Sequence, residues 1–208
     1  MGKSIENSRS GHETDKLIIE VAYSLFMELG YRAVSTRKIA KECGITQPAL
    51  YHHFKNKQEI YLEVLHTSIK QTEEKLYSII KNNATLQDRL YRTACYFMTN
   101  YQEDLMQMFY DIQHEMPEYI QSDMKQRWQK GFLLPIVQMM EEAISKKEIA
   151  PFEKHQTNSF EIALLFLNMI KSSNQKDYLK NMSIKEQKME IEKKSNLIAT
   201  IILFGITN

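Results

Sequence analysis

An all-α fold is what this sequence predicts, on three observations. Only 6 Gly and 4 Pro punctuate 208 residues, too few for a chain of many short strands and tight turns. Leu, Met, Lys, Glu and Gln are abundant, and these side chains keep most of their freedom on a helix. Apolar residues recur at the 3.6-residue spacing of amphipathic helices along most of the chain. With 43% apolar and 25% charged residues, the composition is that of a globular protein, large enough to bury a core as one domain or two small ones.

Several classes are disfavoured at the outset. Cys43 and Cys95 lie far apart and belong to no CxxC or Cys/His cluster, so neither a disulfide framework nor a structural zinc site is expected. Residues 1–13 are polar and lack the apolar core of a secretory signal. The apolar runs at 160–170 and 197–206 are shorter than a bilayer span. The expectation is a cytoplasmic protein without a membrane segment, a metal site or a cofactor.

The elements follow in order. Residues 1–11 read as a flexible lead. From Thr14 to Leu29, Leu17, Ile18, Val21, Ala22, Leu25, Phe26 and Leu29 form one apolar stripe, and Gly30 follows where a helix C-cap is wanted. Ser35 can cap a short helix whose Ile39, Ala40 and Cys43 face inward, and Gly44 permits the turn that ends it. Thr46 can cap a second short helix with Pro48 in its first turn, where the missing amide hydrogen costs little. In that helix Leu50 and Phe54 face inward, Pro48, Ala49 and His52 face outward, and Gln47, Tyr51 and His53 lie on the flanks. Asn56 and Glu59 have the spacing of a capping box that opens a long third helix through Ile60, Val64, Leu65, Ile69 and Leu76.

Two short capped helices joined by a Gly turn and packed on a longer one make a helix-turn-helix over 35–54. The pattern alone also fits a small helical hairpin with a polar outer face. Charge distribution adds to it. Net charge is only +1, yet residues 31–58 carry Arg32, Arg37, Lys38, Lys41, Lys55 and Lys57 against the single acid Glu42. A compact cationic segment on a near-neutral body suits a polyphosphate partner.

The block from Val34 to Lys57, VSTRKIAKECGITQPALYHHFKNK, resembles the signature of TetR-family regulators. That family has a Ser/Thr-rich start, an Ile-Ala pair, a Gly turn, Leu-Tyr-x-His-Phe and then a short polar stretch with Lys. The likeness covers about residues 12–72, which delimits a helix-turn-helix DNA-binding domain, with 73–208 left as a helical effector-binding and dimerisation domain. It implies a DNA-binding transcriptional regulator, a repressor released from its operator by a small, largely hydrophobic ligand. It also implies roles for residues. Thr36 and Arg37 would reach phosphate, Arg37 also a base edge. Gln47 would read adenine bidentately, and Pro48 and Ala49 would contact a thymine methyl. Tyr51, His52 and His53 would contact the DNA backbone, and Lys57 would hold a phosphate at a helix start. Adjacent histidines on a helix do not share a face, so no metal site is expected at 52–53.

Beyond residue 84 the pattern is helical and less specific. Helices are expected over about Leu86 to Tyr101, Asp104 to His114 and Ser122 to Met140, with Pro135 forcing a kink or boundary in the last. Stretches 158–170 and 196–206 are apolar nearly all round, as burial on several sides requires, and the resemblance assigns them to a homodimer interface. Between them, 171–194 reads as a polar, partly helical connection. Tyr101, Met106, Phe109, Tyr110, His114, Trp128, Phe132, Met139, Phe166 and Met169 are candidates to line an effector pocket, although each also fits plain core.

Three rival readings remain. An enzyme is disfavoured: His114-Glu115 starts like a zinc-protease motif, but position 118 is Glu rather than His, and there is no phosphate-binding Gly loop or nucleophile elbow. A TetR-fold protein that binds DNA without an inducer, such as a nucleoid-associated or division-control factor, would show a filled effector domain. An activator would share every residue discussed.

Overall fold

The computed structural model describes the backbone of residues 3–82, 84–100, 105–152, 156–173, 179 and 181–207, and their side chains except those of 3–10, 105–109, 206 and 207. The fold is all-α, and no strand occurs among the described residues. The chain divides into two compact units, Met1–Ser68 with Asp104–Ser122, and Ile69–Glu103 with Asp123–Asn208.

The first unit opens with α1 (Lys3–Ala33). This helix reaches back past the expected start at Thr14, because nothing from Lys3 to Glu13 breaks it: there is no Pro, and a single Gly11 costs only about 1 kcal/mol. Ile18, Ala22, Leu25 and Phe26 are buried as expected. Leu17 and Leu29 are not; they are 43% and 36% exposed. Leu17 lies on the flank of the stripe, about 100° from Ile18, and Leu29 occupies the last turn before the helix breaks. Gly30 makes that break with φ 76° and ψ 163°, a conformation that a Cβ would oppose.

Next come α2 (Thr36–Glu42) and α3 (Gln47–His53). Ser35 Oγ accepts from the Lys38 amide at 3.1 Å, and Thr46 Oγ1 accepts from the Ala49 amide at 3.3 Å, so both expected caps form. Gly44, at φ 68°, supplies the turn between them. The two helices pack on each other and on α1 around Ile39, Ala40 and Leu50, with Phe54 closing the exit. Helix α4 (Lys57–Ile80) starts at the Asn56 cap, where Asn56 Oδ1 accepts from the Glu59 amide at 2.8 Å. Its residues to Ser68 belong to this unit and the remainder to the second.

The first unit is completed by α6 (Leu105–Glu115) and the start of α7 (Glu118–Trp128). Helix α6 packs on α1, and Asp111, 4% exposed, accepts from the Tyr31 amide and the Tyr61 hydroxyl. Phe26, Tyr31 and Tyr61 form an aromatic cluster beneath it, with centroids 4.8 Å apart for Phe26–Tyr61 and Tyr31–Tyr61.

In the second unit, α5 (Leu86–Asn100) packs along α10 (Ile184–Thr207), and α8 (Leu134–Ser145) and α9 (Ser159–Ser173) complete the core. Leu90, Ala94, Phe97, Leu133, Ile136, Met139, Ala143, Phe166, Ile198 and Ala199 are buried in it. The boundary expected at Pro135 is present in a particular form. A π-helical turn, Gln129–Leu133, precedes α8, and the Leu134 amide reaches Gln129 O five residues back. The wider turn absorbs the missing proline donor. Gly131 lies in it so close to α4 that a Cβ there would stand 2.5 Å from Ile69 Cγ2. Helix α10 begins at Ile184, so the later part of the polar stretch, from Ile184 to Lys194, is regular helix, capped by Ser183 and Glu186.

Candidate nucleic-acid interface and effector-binding residues

The outward side of α2 and α3 carries a hydrogen-bonded trio. Gln47 Nε2 donates to Thr36 Oγ1 at 3.1 Å and to Tyr51 Oη at 3.4 Å, and the two hydroxyls lie 3.1 Å apart. Spacing explains it: Gln47 and Tyr51 are one turn apart on α3, and Thr36 begins the facing helix. The bonds from Thr36, and then Gln47, hold the solvent-facing Tyr51 phenol below its ordinary pKa. With its amide protons committed, Gln47 offers an approaching base the carbonyl Oε1 as acceptor. Bidentate reading of adenine, which needs donor and acceptor together, would require the trio to open.

Around the trio, Pro48, Tyr51 and His52 are exposed and Ala49 is half-buried, whereas Leu50 is fully buried. His53 turns back instead: its Nδ1 lies 2.6 Å from Asp15 Oδ1, tying the end of α3 to α1. Arg37, Lys38, Lys41 and Lys55 are exposed, and no ion pair joins them to an acid among the described residues. Exposed positive charge of this kind raises the local potential for a polyanion.

Lys57 is oriented differently from its neighbours. Its ammonium donates to Tyr31 O at 2.9 Å and sits 4.0 Å above the Tyr31 ring centre, half-buried. Burial lowers its pKa, an effect that Glu115 and Asp111 oppose. The phosphate contact expected of Lys57 conflicts with this inward position, since a lysine stem long enough to reach the Tyr31 carbonyl follows it there. Sequence reasoning missed the partners involved: Asp15, Tyr31, Asp111 and Glu115 are far away in the chain, and no local signal announces them.

The effector candidates scatter. Tyr101 lies outside the described residues, and Met106 and Phe109 lie on α6 with side chains outside them. Tyr110 is 51% exposed and stacks on the exposed His114 with centroids 3.9 Å apart, both in the first unit. In the second unit Phe132, Met139 and Phe166 are buried, Trp128 stacks on Phe132 at 6.0 Å, and Met169 is half-buried. A separate open groove of about 710 Å³ runs along α4, α5 and α10, where Lys75, Tyr91, Arg92, Cys95, Ile184 and Lys188 are among its walls. None of the described effector candidates lines that groove. Among the described residues no cluster of three or more His, Cys, Asp or Glu could hold a metal, and no helix is long and apolar enough to cross a membrane.

Comparison with known proteins agrees with this architecture. Residues 18–64 match the model for bacterial regulatory proteins of the tetR family. The uncharacterized HTH-type transcriptional regulator YvkB of Bacillus subtilis is 32% identical over 121 residues, 54% of this chain and 62% of YvkB. Another curated Bacillus subtilis relative, YuxN, is matched over 23% of its length, so the chain spans less than two thirds of both. Among solved structures, the transcriptional regulator FadR of Bacillus subtilis, in complex with stearoyl-CoA, superposes with a TM-score of 0.70 at 21% identity, covering 92% of this chain and 98% of FadR. AibR, in complex with isovaleryl coenzyme A and operator DNA, gives a TM-score of 0.63 at 19% identity, covering 93% and 98% of the two chains. At such identities these structures speak to the fold. With the match at 18–64 and the capped α2–turn–α3 pair, this segment of the chain is of the tetR family of bacterial regulatory proteins, and the all-helical remainder shares the fold of FadR and AibR.

Proposed function

We propose that the protein is a ligand-responsive repressor that binds operator DNA as a homodimer. The observation that carries this reading is the outer face of α3. It presents Gln47, Pro48, Tyr51 and His52 on a rigid, capped helix, flanked by the exposed Arg37, Lys38, Lys41 and Lys55. A helix with that composition fits a major groove, with the basic flanks on phosphate and the central residues on base edges. Thr36, Tyr51 and Arg37 supply backbone contacts in this reading. His53 supports the helix through Asp15.

Two recognition helices must meet the operator about one helical turn apart, ~34–36 Å, or a multiple of it. Faces of α9 and α10 are the proposed seat of the second copy. Phe160 and Leu165 on α9, and Leu197, Ile201 and Phe204 on α10, are 40–60% exposed, and the last three recur at i, i+4 and i+7. A stripe of large apolar side chains facing water marks an interaction surface. The proposed dimer joins 158–170 and 196–206 of one copy to those of the other.

The effector is proposed to be largely apolar and to engage the aromatic and methionine-rich second unit. Support comes from the composition of that unit and from the acyl-CoA complexes of FadR and AibR. By favouring a conformer that cannot span both half-sites, such a ligand would shift the population off the operator.

Salt-titrated binding to duplexes from the protein's own locus tests the reading. Specific binding by a dimer is expected, with Gln47→Ala losing about 1–3 kcal/mol of discrimination against altered operators. A monomer indifferent to every such fragment at low ionic strength would remove the basis of the proposal.

A further inference from the structure

Helix α5 carries a buried stripe that begins with polar residues, set in the largely apolar core of the second unit. Arg89 and Thr93 are both fully buried, one turn apart, and Phe97 continues the same stripe a turn later, 3% exposed. Arg89 meets two carboxylates at one end only: Nη1 donates to Glu142 Oε2 and Nη2 to Glu148 Oε1, each at 3.3 Å. Those acids are fixed in turn, Glu142 by the Gln138 side chain and Glu148 by the Leu86 amide. Arg89 Nε and Thr93 Oγ1 are buried without a hydrogen-bond partner among the described residues. Native cores rarely leave such donors unmatched, because each forfeits its hydration and gains nothing in return.

We propose that Arg89 Nε and Thr93 Oγ1 bind an acceptor oxygen on a neutral apolar ligand, a ketone, ester or thioester carbonyl, whose apolar body lies along Phe97, Phe132 and Trp128. The proposal rests on the reading that the second unit takes an apolar effector, and it names that effector's polar handle. A carbonyl oxygen has two lone pairs and satisfies both donors at once. A hydrocarbon satisfies neither. A carboxylate is excluded by charge: Arg89 already faces two acids, so a third would enter a site with net negative charge. The apolar continuation is aromatic, with Phe97 and Phe132 centroids 5.6 Å apart and Trp128 stacked beyond.

Trp128 is the only tryptophan, so its emission reports occupancy directly. The full chain is titrated with methyl nonyl ketone, undecane and undecanoate, as are Thr93→Val, which keeps the shape, and Thr93→Ser, which keeps the hydroxyl. The ketone should bind best, weaken about tenfold in Thr93→Val for the loss of one hydrogen bond, and recover in Thr93→Ser. Undecane should bind all three proteins alike. If ketone and undecane bind equally, the apolar-effector reading stands and this proposal falls. If undecanoate outbinds the ketone, the neutral-carbonyl assignment is overturned. If Thr93→Val lowers the melting temperature without changing ketone affinity, the hydroxyl serves a structural water instead. If no probe binds while operator binding persists, both readings fall together.

Discussion

The carboxylate of Asp111 accepts from the backbone amide of Tyr31 at 2.9 Å, joining positions 80 residues apart. On the same residue's carbonyl, Lys57 Nζ donates at 2.9 Å. Tyr31 therefore has both peptide groups held by side chains of opposite charge, immediately after the break at Gly30 and immediately before the helix-turn-helix. The charges offset part of each other's burial cost, which explains how an acid only 4% exposed is tolerated there. Arg32 and Glu115 add a neighbouring pair at 2.5 Å, but with the Arg32 side chain 74% exposed it contributes little.

Removing the acid should cost stability through this one residue. Asp111→Ala strips the Tyr31 amide of its acceptor and leaves Lys57 less compensated, a loss of about 1–3 kcal/mol. Asp111→Asn keeps an acceptor oxygen and should lose less. Urea midpoints at matched slope measure both. Equal midpoints for Asp111→Ala and the parent would show that the clamp is energetically idle.

Exposed and inward-turned basic residues of this segment should separate in a salt titration. For each phosphate that the protein ceases to neutralise, the slope of log affinity against log salt falls by about 0.9. Arg37→Ala is expected to show that reduction with little change in melting temperature. Lys57→Met should do the opposite, leaving the slope alone while lowering stability, because its ammonium is spent on Tyr31. A reduced slope for Lys57→Met would return that residue to the phosphate backbone.

How much of this was legible in the sequence depends on range. Caps act within three residues, so Ser35, Thr46 and Asn56 could be read directly, and all three form. The inward positions Ile39 and Leu50 follow from periodicity and are fully buried. Periodicity, however, gives a direction and not a partner, which is why Leu17 and Leu29 are exposed although they join the stripe. Tertiary links escape it altogether. Nothing near Asp15 indicates His53, nothing near Asp111 indicates Tyr31, and the inward turn of Lys57 follows only from those neighbours. Arg89 illustrates the same limit: a buried arginine on α5 becomes intelligible only once Glu142 and Glu148 are seen beside it.

Acid should loosen the start of α10 in a way that one carboxylate reports. Glu186 accepts from the Ser183 hydroxyl at 2.6 Å and the Ser183 amide at 2.8 Å, and these bonds lower its pKa below the ordinary carboxylate value. The folded-state pKa is depressed, so the contribution is complete above the unfolded value and is lost as pH falls through the lower folded one. The Ser183 amide resonance should therefore titrate below the usual carboxylate range, and Glu186→Gln should abolish that titration. An unshifted midpoint would mean that the cap is not formed in solution.

The proposed dimerisation should be separable from folding through Ile201. That side chain is 47% exposed, while Ile198, Ala199 and Ile202 on the same helix are buried against their own unit. Ile201→Lys thus introduces a charge on the outer stripe without touching the core, and the helical content and melting of an isolated copy should survive. Across an interface the same charge would be desolvated in each subunit with no acid supplied by Leu197 or Phe204 beside it. The variant should run as a monomer by light scattering and, having lost the second recognition helix as an intramolecular partner, bind the operator about 100-fold more weakly. A dimer with unaltered affinity would rule out this stripe as the surface that pairs two copies, and would direct the search to other exposed apolar positions of the second unit, beginning with Ile184 and Met189.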